Sequence, residues 1–171
     1  PPKPNFVDTL LDAIEREDSD LKGIEKDKRD PLPNVQWHSY DSKVFNQDEM
    51  IDRAAKFIES EFTVFANKDF PAFQDLKDHF ITKYSNLNEA DVMPVITNVY
   101  TVQLMETVAA AKSFERRSNW SKDQVDALLT TEALSFSCNL KNYQIELINR
   151  QLKQLADKKK KAIHEEYEES V

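Results

Sequence analysis

The chain has 171 residues, the length of one domain, of which 40% are hydrophobic and 32% charged. Its 23 basic and 31 acidic residues give a net charge of −8, a poor match for nucleic-acid phosphates or anionic lipid, both of which need a cationic surface. The only glycine, Gly23, excludes glycine-rich phosphate loops and the G-x-S-x-G elbow and disfavours a fold of many hairpins, so the expectation is an all-α elongated helical bundle.

Residues 1–46 divide into an amino-terminal arm and a strap. The opening Pro-Pro-Lys-Pro, without Met, is expected of a chain whose leading segment was lost at an artificial boundary or by removal of a targeting sequence. Phe6, Val7, Leu10, Leu11 and Ile14 recur at helical spacing behind Asn5 as a cap, which predicts a short helix over about 5–18. Nine acidic and six basic residues in 1–30 put most of this arm in water. Its stripe is either a frayed terminal helix or a helix laid into a partner's groove through Phe6, Leu10 and Ile14. Pro31 and Pro33 disfavour helix in the residues before them, and residues 34–42 have no helical period. An extended strap over 31–46 is therefore expected, pinned to the body or to a neighbour by the rings of Trp37 and Tyr40.

Residues 47–171 form the predicted helical domain. Asn46 and Glu49 make a capping-box variant, and Met50, Ile51, Ala54, Ala55, Ile58, Phe62 and Phe65 fit a helix over 47–66. Pro71 suits the first turn of a second helix over 71–85, with Phe73, Leu76, Phe80 and Tyr84 on its buried face. A third, over 90–117, is apolar nearly all round from Val95 to Val108 and should be the most buried. Thr97, Asn98, Gln103 and Glu106 interrupt its apolar stretch and would be too costly at a bilayer centre, so it is not read as a membrane span. Ser121 and Gln124 form a capping box, and with no Gly or Pro afterwards one long helix over 121–168 is predicted. Within it Ile145, Ile148, Leu152 and Leu155 step by three, four and three, the spacing of a coiled-coil seam offered to a partner. Beyond them Lys158–Lys161 precede Glu165, Glu166, Glu168 and Glu169, the reverse of the favoured intrahelical charge order.

Candidate chemistry is sparse. Cys138 is single, so no internal disulfide is possible, and it lacks the cationic neighbours that generate a thiolate. His38, His79 and His164 show no i, i+4 pairing and no Glu-x-x-His spacing, so neither a zinc site nor a di-iron bundle is expected. Glu106 could be a proton donor if buried, but fits a rim position better; the lysine run reads as a solvated face. The expectation is a non-enzyme with no catalytic, cofactor or metal site. A ligand-binding or enzymatic bundle using Glu106 and His79 is the reading from a different class.

One stretch carries a family resemblance. Residues 31–44, Pro-Leu-Pro-Asn-Val-Gln-Trp-His-Ser-Tyr-Asp-Ser-Lys-Val, followed by Met50-Ile-Asp-Arg-Ala-Ala-Lys-Phe-Ile-Glu, resemble subunit d of the mitochondrial F-type ATP synthase. Val35, Trp37, Tyr40 and Val44 take the places of its aliphatic–polar–aromatic motif, and Ile51 and Asp52 those of the aliphatic–Asp pair that opens the next helix. The likeness covers about thirty residues, 31–60. It implies a non-catalytic subunit of the peripheral stalk, which holds the catalytic head against rotation and so couples proton transport to ATP synthesis. The implied partners are the stalk's long b-type helix, its small coupling subunit and the oligomycin-sensitivity protein. The implied place is the matrix side of the mitochondrial inner membrane, reached only through those partners. The alternative is a helical adaptor of an unrelated cytoplasmic or nuclear complex. In either case the expected partner-facing residues are Phe6, Leu10, Ile14, Trp37, Tyr40, Ile145, Ile148, Leu152 and Leu155.

Overall fold

The structure, a computed structural model, describes residues 31–139 and 142–169. It overturns the all-α expectation: helix accounts for 65% of it, but a three-stranded mixed sheet is built into its core. The strands are β1 (Asn34–His38), β2 (Ala55–Ile58) and β3 (Thr63–Asn67), in the order β1-β3-β2. β1 runs parallel to β3, with Asn34 opposite Thr63 and His38 opposite Asn67; β2 runs antiparallel, with Ala55 opposite Ala66. The helices are α1 (Gln47–Met50), α2 (Pro71–Lys83), α3 (Glu89–Ser113), α4 (Lys122–Ala127), α5 (Thr131–Ser137) and α6 (Asn142–Glu169).

The expected helix over 47–66 is thus one helical turn followed by a β-hairpin. Asn46 does cap, its side chain accepting from the Asp48 amide, but the helix ends after Met50. Two features reverse the expectation. Phe57, Ile58, Thr63, Val64 and Phe65 are residues that fit a pleated, half-buried surface, and pairing with β1 on one side of β3 and β2 on the other gives every strand a ladder. The turn needs left-handed backbone, and Phe62 supplies it at φ 46° without glycine, its N–H bonded to the Glu59 carbonyl. Asp52, at φ 50°, does the same before β2, as a short polar residue can. The strap of 31–46 is extended as expected, yet its first half is the strand β1.

The expected single helix over 121–168 is three helices. The Ser121–Gln124 capping box forms, and opens α4. The next interruption uses a threonine: the Thr130 hydroxyl accepts from the Ala133 amide and starts α5. Ser135 and Ser137 hydroxyls donate back to the Thr131 and Leu134 carbonyls as α5 ends. Hydroxyls that bond local backbone compete with the helical ladder, so a chain can break without Gly or Pro.

α3 organises the core. Its Asn88 cap and Asp91 form a reciprocal capping box, and it buries Val92, Ile96, Val99, Tyr100, Leu104, Val108 and Ala111. Phe73, Leu76 and Phe80 of α2 pack on it, with Phe73 4.6 Å from the Tyr100 ring. On the sheet, Ala55, Val64 and Ala66 are buried in the same cluster. α5 packs against β2, where the Ser135 hydroxyl accepts from the Ala54 amide at 2.8 Å.

Trp37 couples the strap to this core. Its ring stands edge-on to Phe73 at 5.5 Å, and its Nε1 donates to the Thr101 hydroxyl on α3 at 2.8 Å. Trp37→Ala is expected to cost about 3 kcal/mol, at the lower end of aromatic truncations because the ring is half-buried. Thr101→Val, which keeps the shape and removes only the acceptor, should cost about 1 kcal/mol. Urea denaturation of the full chain checks both; equal losses would mean the hydrogen bond, and not the ring, holds the strap.

Candidate functional site

The residues carrying the resemblance lie on β1, on the loop that follows it and on the turn that leads into β2. Val35 and Trp37 are half-buried on β1 and pack on the core. Tyr40 lies past the strand, where its amide donates to Asp69 Oδ2 at 2.8 Å and its hydroxyl to the Gln47 carbonyl at 2.9 Å. Those bonds fasten the strap at both ends of the β1–α1 loop. Phe45 is buried, its ring edge-on to His38, while Met50 is wholly buried. Beside these anchors Leu32, Val44 and Ile51 are exposed, Ile51 at 55%. A shallow groove of about 290 Å³ runs beside Ile51, lined by Tyr40, Met50, Asp52 and Asp69. The helix that the resemblance places from Ile51 onward does not form, since Ile51 ends α1 and Asp52 turns the chain into β2.

The proposed coiled-coil seam is placed elsewhere than expected. Ile148 and Leu152 are wholly buried, and Ile145 and Leu155 are half-buried against the same core. Their cover is this chain's own α3, along which α6 runs antiparallel. Gln144 Nε2 donates to Gln103 Oε1 at 2.8 Å near one end, and Lys159 meets the Asp91 carboxylate at 2.7 Å at the other. The Tyr84 hydroxyl donates to Asn149 Oδ1 and Asn86 Nδ2 to the Ala156 carbonyl in between. The hydrogen bond from Lys159, with that from the Asn88 backbone, holds the Asp91 carboxyl below its usual range. Of the other expected contacts, Phe6, Leu10 and Ile14 lie outside the described residues.

The residues that exposed surface does offer were missed by the sequence reading. Phe136 and Tyr143, at 79% and 75% exposure, lie on either side of the α5–α6 junction. Phe136 borders an open groove of about 440 Å³ floored by Ala110, Ala111 and Leu128. Both aromatics fit the apolar stripe of the expected long helix, and once that helix is three, the stripe no longer has a common face. A second unforeseen feature is ionic. Lys112, at the end of α3, reaches Glu59 at 2.7 Å and Glu115 at 2.5 Å, and Lys122 approaches Glu59 at 3.7 Å. Burial pulls the Lys112 pKa down, but the bonds from both carboxylates outweigh it and leave it raised. This cluster ties the β2–β3 turn to the end of α3.

The groups weighed for catalysis are dispersed. His79 on α2, Glu106 on α3 and His164 on α6 are each exposed, and His38 lies beside the Phe65 ring on the sheet. Among the described residues no three His, Cys, Asp or Glu side chains are grouped to hold a metal ion. Cys138 is wholly buried after α5, and that burial pushes its thiol up to about 12. No described helix is long and apolar enough to cross a membrane.

Two outcomes follow from this placement. Cys138 should resist alkylation at neutral pH in the folded chain and react rapidly in denaturant. Because folding favours the neutral thiol, its stabilising share is present below the ordinary thiol range and is lost as pH rises toward about 12. A fast native-state reaction would contradict the burial. Leu152→Asp sets a carboxylate among buried aliphatics and should lower the stability of the chain alone by several kcal/mol. Had the seam been a surface for another protein, the isolated variant would melt like the parent.

Comparison of the chain with protein-family models, with curated proteins and with solved structures gives no match.

Proposed function

We propose that the chain is a non-catalytic structural subunit of the peripheral stalk of the mitochondrial ATP synthase, holding the catalytic head against rotation. The observation that carries this reading is the distribution of exposed apolar side chains. Leu32, Val44 and Ile51 lie by the strap, Phe136 and Tyr143 at the α5–α6 junction, and Ile163 and Tyr167 near the end of α6. An enzyme converges titratable groups on one cleft. Here they are spread out, and what the surface offers at several separate places is apolar area, which suits a body gripped by several neighbours. The resemblance of residues 31–60 supplies the identity of those neighbours: the b-type helix, the coupling subunit and the oligomycin-sensitivity protein.

The adaptor of an unrelated complex is the second reading. The specific observation in its favour is that the segment resembling a helix-opening motif is a turn followed by a hairpin.

Affinity purification of the full chain from native mitochondrial membranes, with mass spectrometry of the recovered proteins, separates the two. The stalk reading expects the three named subunits in the same eluate. It also expects Val44→Asp with Ile51→Asp to reduce their recovery on the order of tenfold with little loss of stability, because both side chains are exposed. Recovery of a set of proteins without any ATP synthase subunit would leave the adaptor reading standing and remove the stalk one.

A further inference from the structure

The groove beside Phe136 has the dimensions of a helix. Its lining on α3 and the turn that follows, Gln103, Thr107, Ala110 and Phe114, steps by four, three and four over roughly 16 Å at 1.5 Å per residue. Leu128, after α4, and Ala133 of α5 continue the lining, and Phe136 at its border is 79% exposed. Three of its polar side chains are already engaged. Gln103 Oε1 accepts from Gln144 Nε2 at 2.8 Å, Gln103 Nε2 donates to the Thr107 hydroxyl at 3.3 Å, and the Ser137 hydroxyl donates to the Leu134 carbonyl. Ala110 and Ala133 are small enough to admit a close backbone. The open face therefore suits the apolar side of a helix better than a polar ligand.

The chain carries such a side within reach. Residues 1–30 precede Pro31 and lie outside the described residues. Their stripe of Phe6, Val7, Leu10, Leu11 and Ile14 has helical spacing and, as a helix, spans roughly 12 Å. Between Ile14 and Pro31 only Leu21 and Ile24 are apolar, so residues 15–30 form a polar tether. Pro31 lies by the same end of α3, in a second groove that it lines with Glu59, Phe62, Lys112 and Glu115. Lys112 and Ala110 are about 160° apart around α3, which puts Pro31 within about two helix diameters, roughly 20–24 Å, of the first groove. A tether over 15–30 has an r.m.s. span of about 20–24 Å and reaches at most roughly 55 Å.

We propose that the groove beside Phe136 is the seat of this chain's own amino-terminal segment, with Phe6, Leu10 and Ile14 laid along α3. A tether matched to its span gives an effective concentration of about 1 mM, so a contact with an intrinsic Kd of about 0.1 mM is filled roughly ten to one. A second copy of the chain at lower concentration competes poorly, and a helix of another protein has to displace the arm to enter. The seat is independent of the stalk reading, which keeps the strap side chains and Tyr143 as contacts whether or not the groove is covered.

Thiol reactivity in the full chain tests it. Ala110→Cys places a thiol at an exposed position of the groove, while Cys138 is wholly buried. Alkylation of the introduced thiol should be slower, on the order of tenfold, than in the same chain also carrying Leu10→Asp and Ile14→Asp. Phe136→Ser, at a position the core does not use, should speed the reaction comparably when the arm is unchanged, and change it little once the arm carries the two aspartates. That non-additivity marks a contact between arm and groove and does not arise from damage to the fold. Equal rates with and without the aspartates would overturn the proposal, and so would additive effects of the arm and Phe136 changes. Protection that grows with protein concentration would overturn it too, because the arm would then be seated on a second copy.

Discussion

The fold depends on covering α3. A helix of 25 residues that is apolar on most of its circumference is insoluble unless neighbours enclose it, and each neighbouring element has a piece of that task. α2 brings Phe73 and Phe80, the sheet brings Val64 and Ala66, and α6 brings Ile148 and Leu152. Tyr100 lies at the junction, its ring against Phe73; burial raises its pKa, and its hydroxyl reaches no partner among the described residues. The unmet hydroxyl costs on the order of 1–3 kcal/mol, comparable to what burying such a ring contributes, so the site tolerates Tyr only because the packing around it is close.

How much of this was readable depended on whether the signal was local. Caps are local: Asn88 with Asp91, Ser121 with Gln124, and Pro71 at the first turn of α2 all do what their spacing implies. The sheet is not local. Met50, Ala54, Ala55, Ile58, Phe62 and Phe65 satisfy a helical period by accident of a one-turn helix followed by two short strands, and β1, the strand that completes the ladder, pairs with residues of β3 that lie 29 positions further along the chain. The inference from glycine failed for a specific reason. It assumed that left-handed turns require Gly, whereas Phe62 and Asp52 accept the left-handed region and the surrounding pairing holds them there.

The surface was less legible than the core because an apolar period says which residues want cover without saying who supplies it. Ile145, Ile148, Leu152 and Leu155 have seam spacing and are covered within the chain, while Phe136 and Tyr143, which belong to no continuous stripe once α4, α5 and α6 separate, are left outside. Trp37 and Tyr40 were expected to pin the strap and hold it to this chain's own body, Trp37 through its contact with Phe73 and its bond to Thr101 and Tyr40 through its amide and hydroxyl bonds, none of which propensity alone specifies. What remains for partners is the residue of that internal accounting: the outward side chains of the strap, the α5–α6 junction and the end of α6.

This division also explains why one helix can serve two environments. Along α6 the same three-and-four step carries Ile148 and Leu152 into the core and Ile163 into solvent, with the Lys159–Asp91 pair at the boundary. Asp91 is fixed there by the requirement to close the capping box of α3, so the start of α3 decides where the body ends along α6. Below that point the helix is held by packing and is part of the fold. Above it residues 160–168 are exposed, with the His164–Glu168 contact at 3.3 Å along the helix itself. Burial along α6 is therefore set by how far α3 extends and not by the period of α6 itself, which continues unchanged from Leu152 through Ala156 to Ile163.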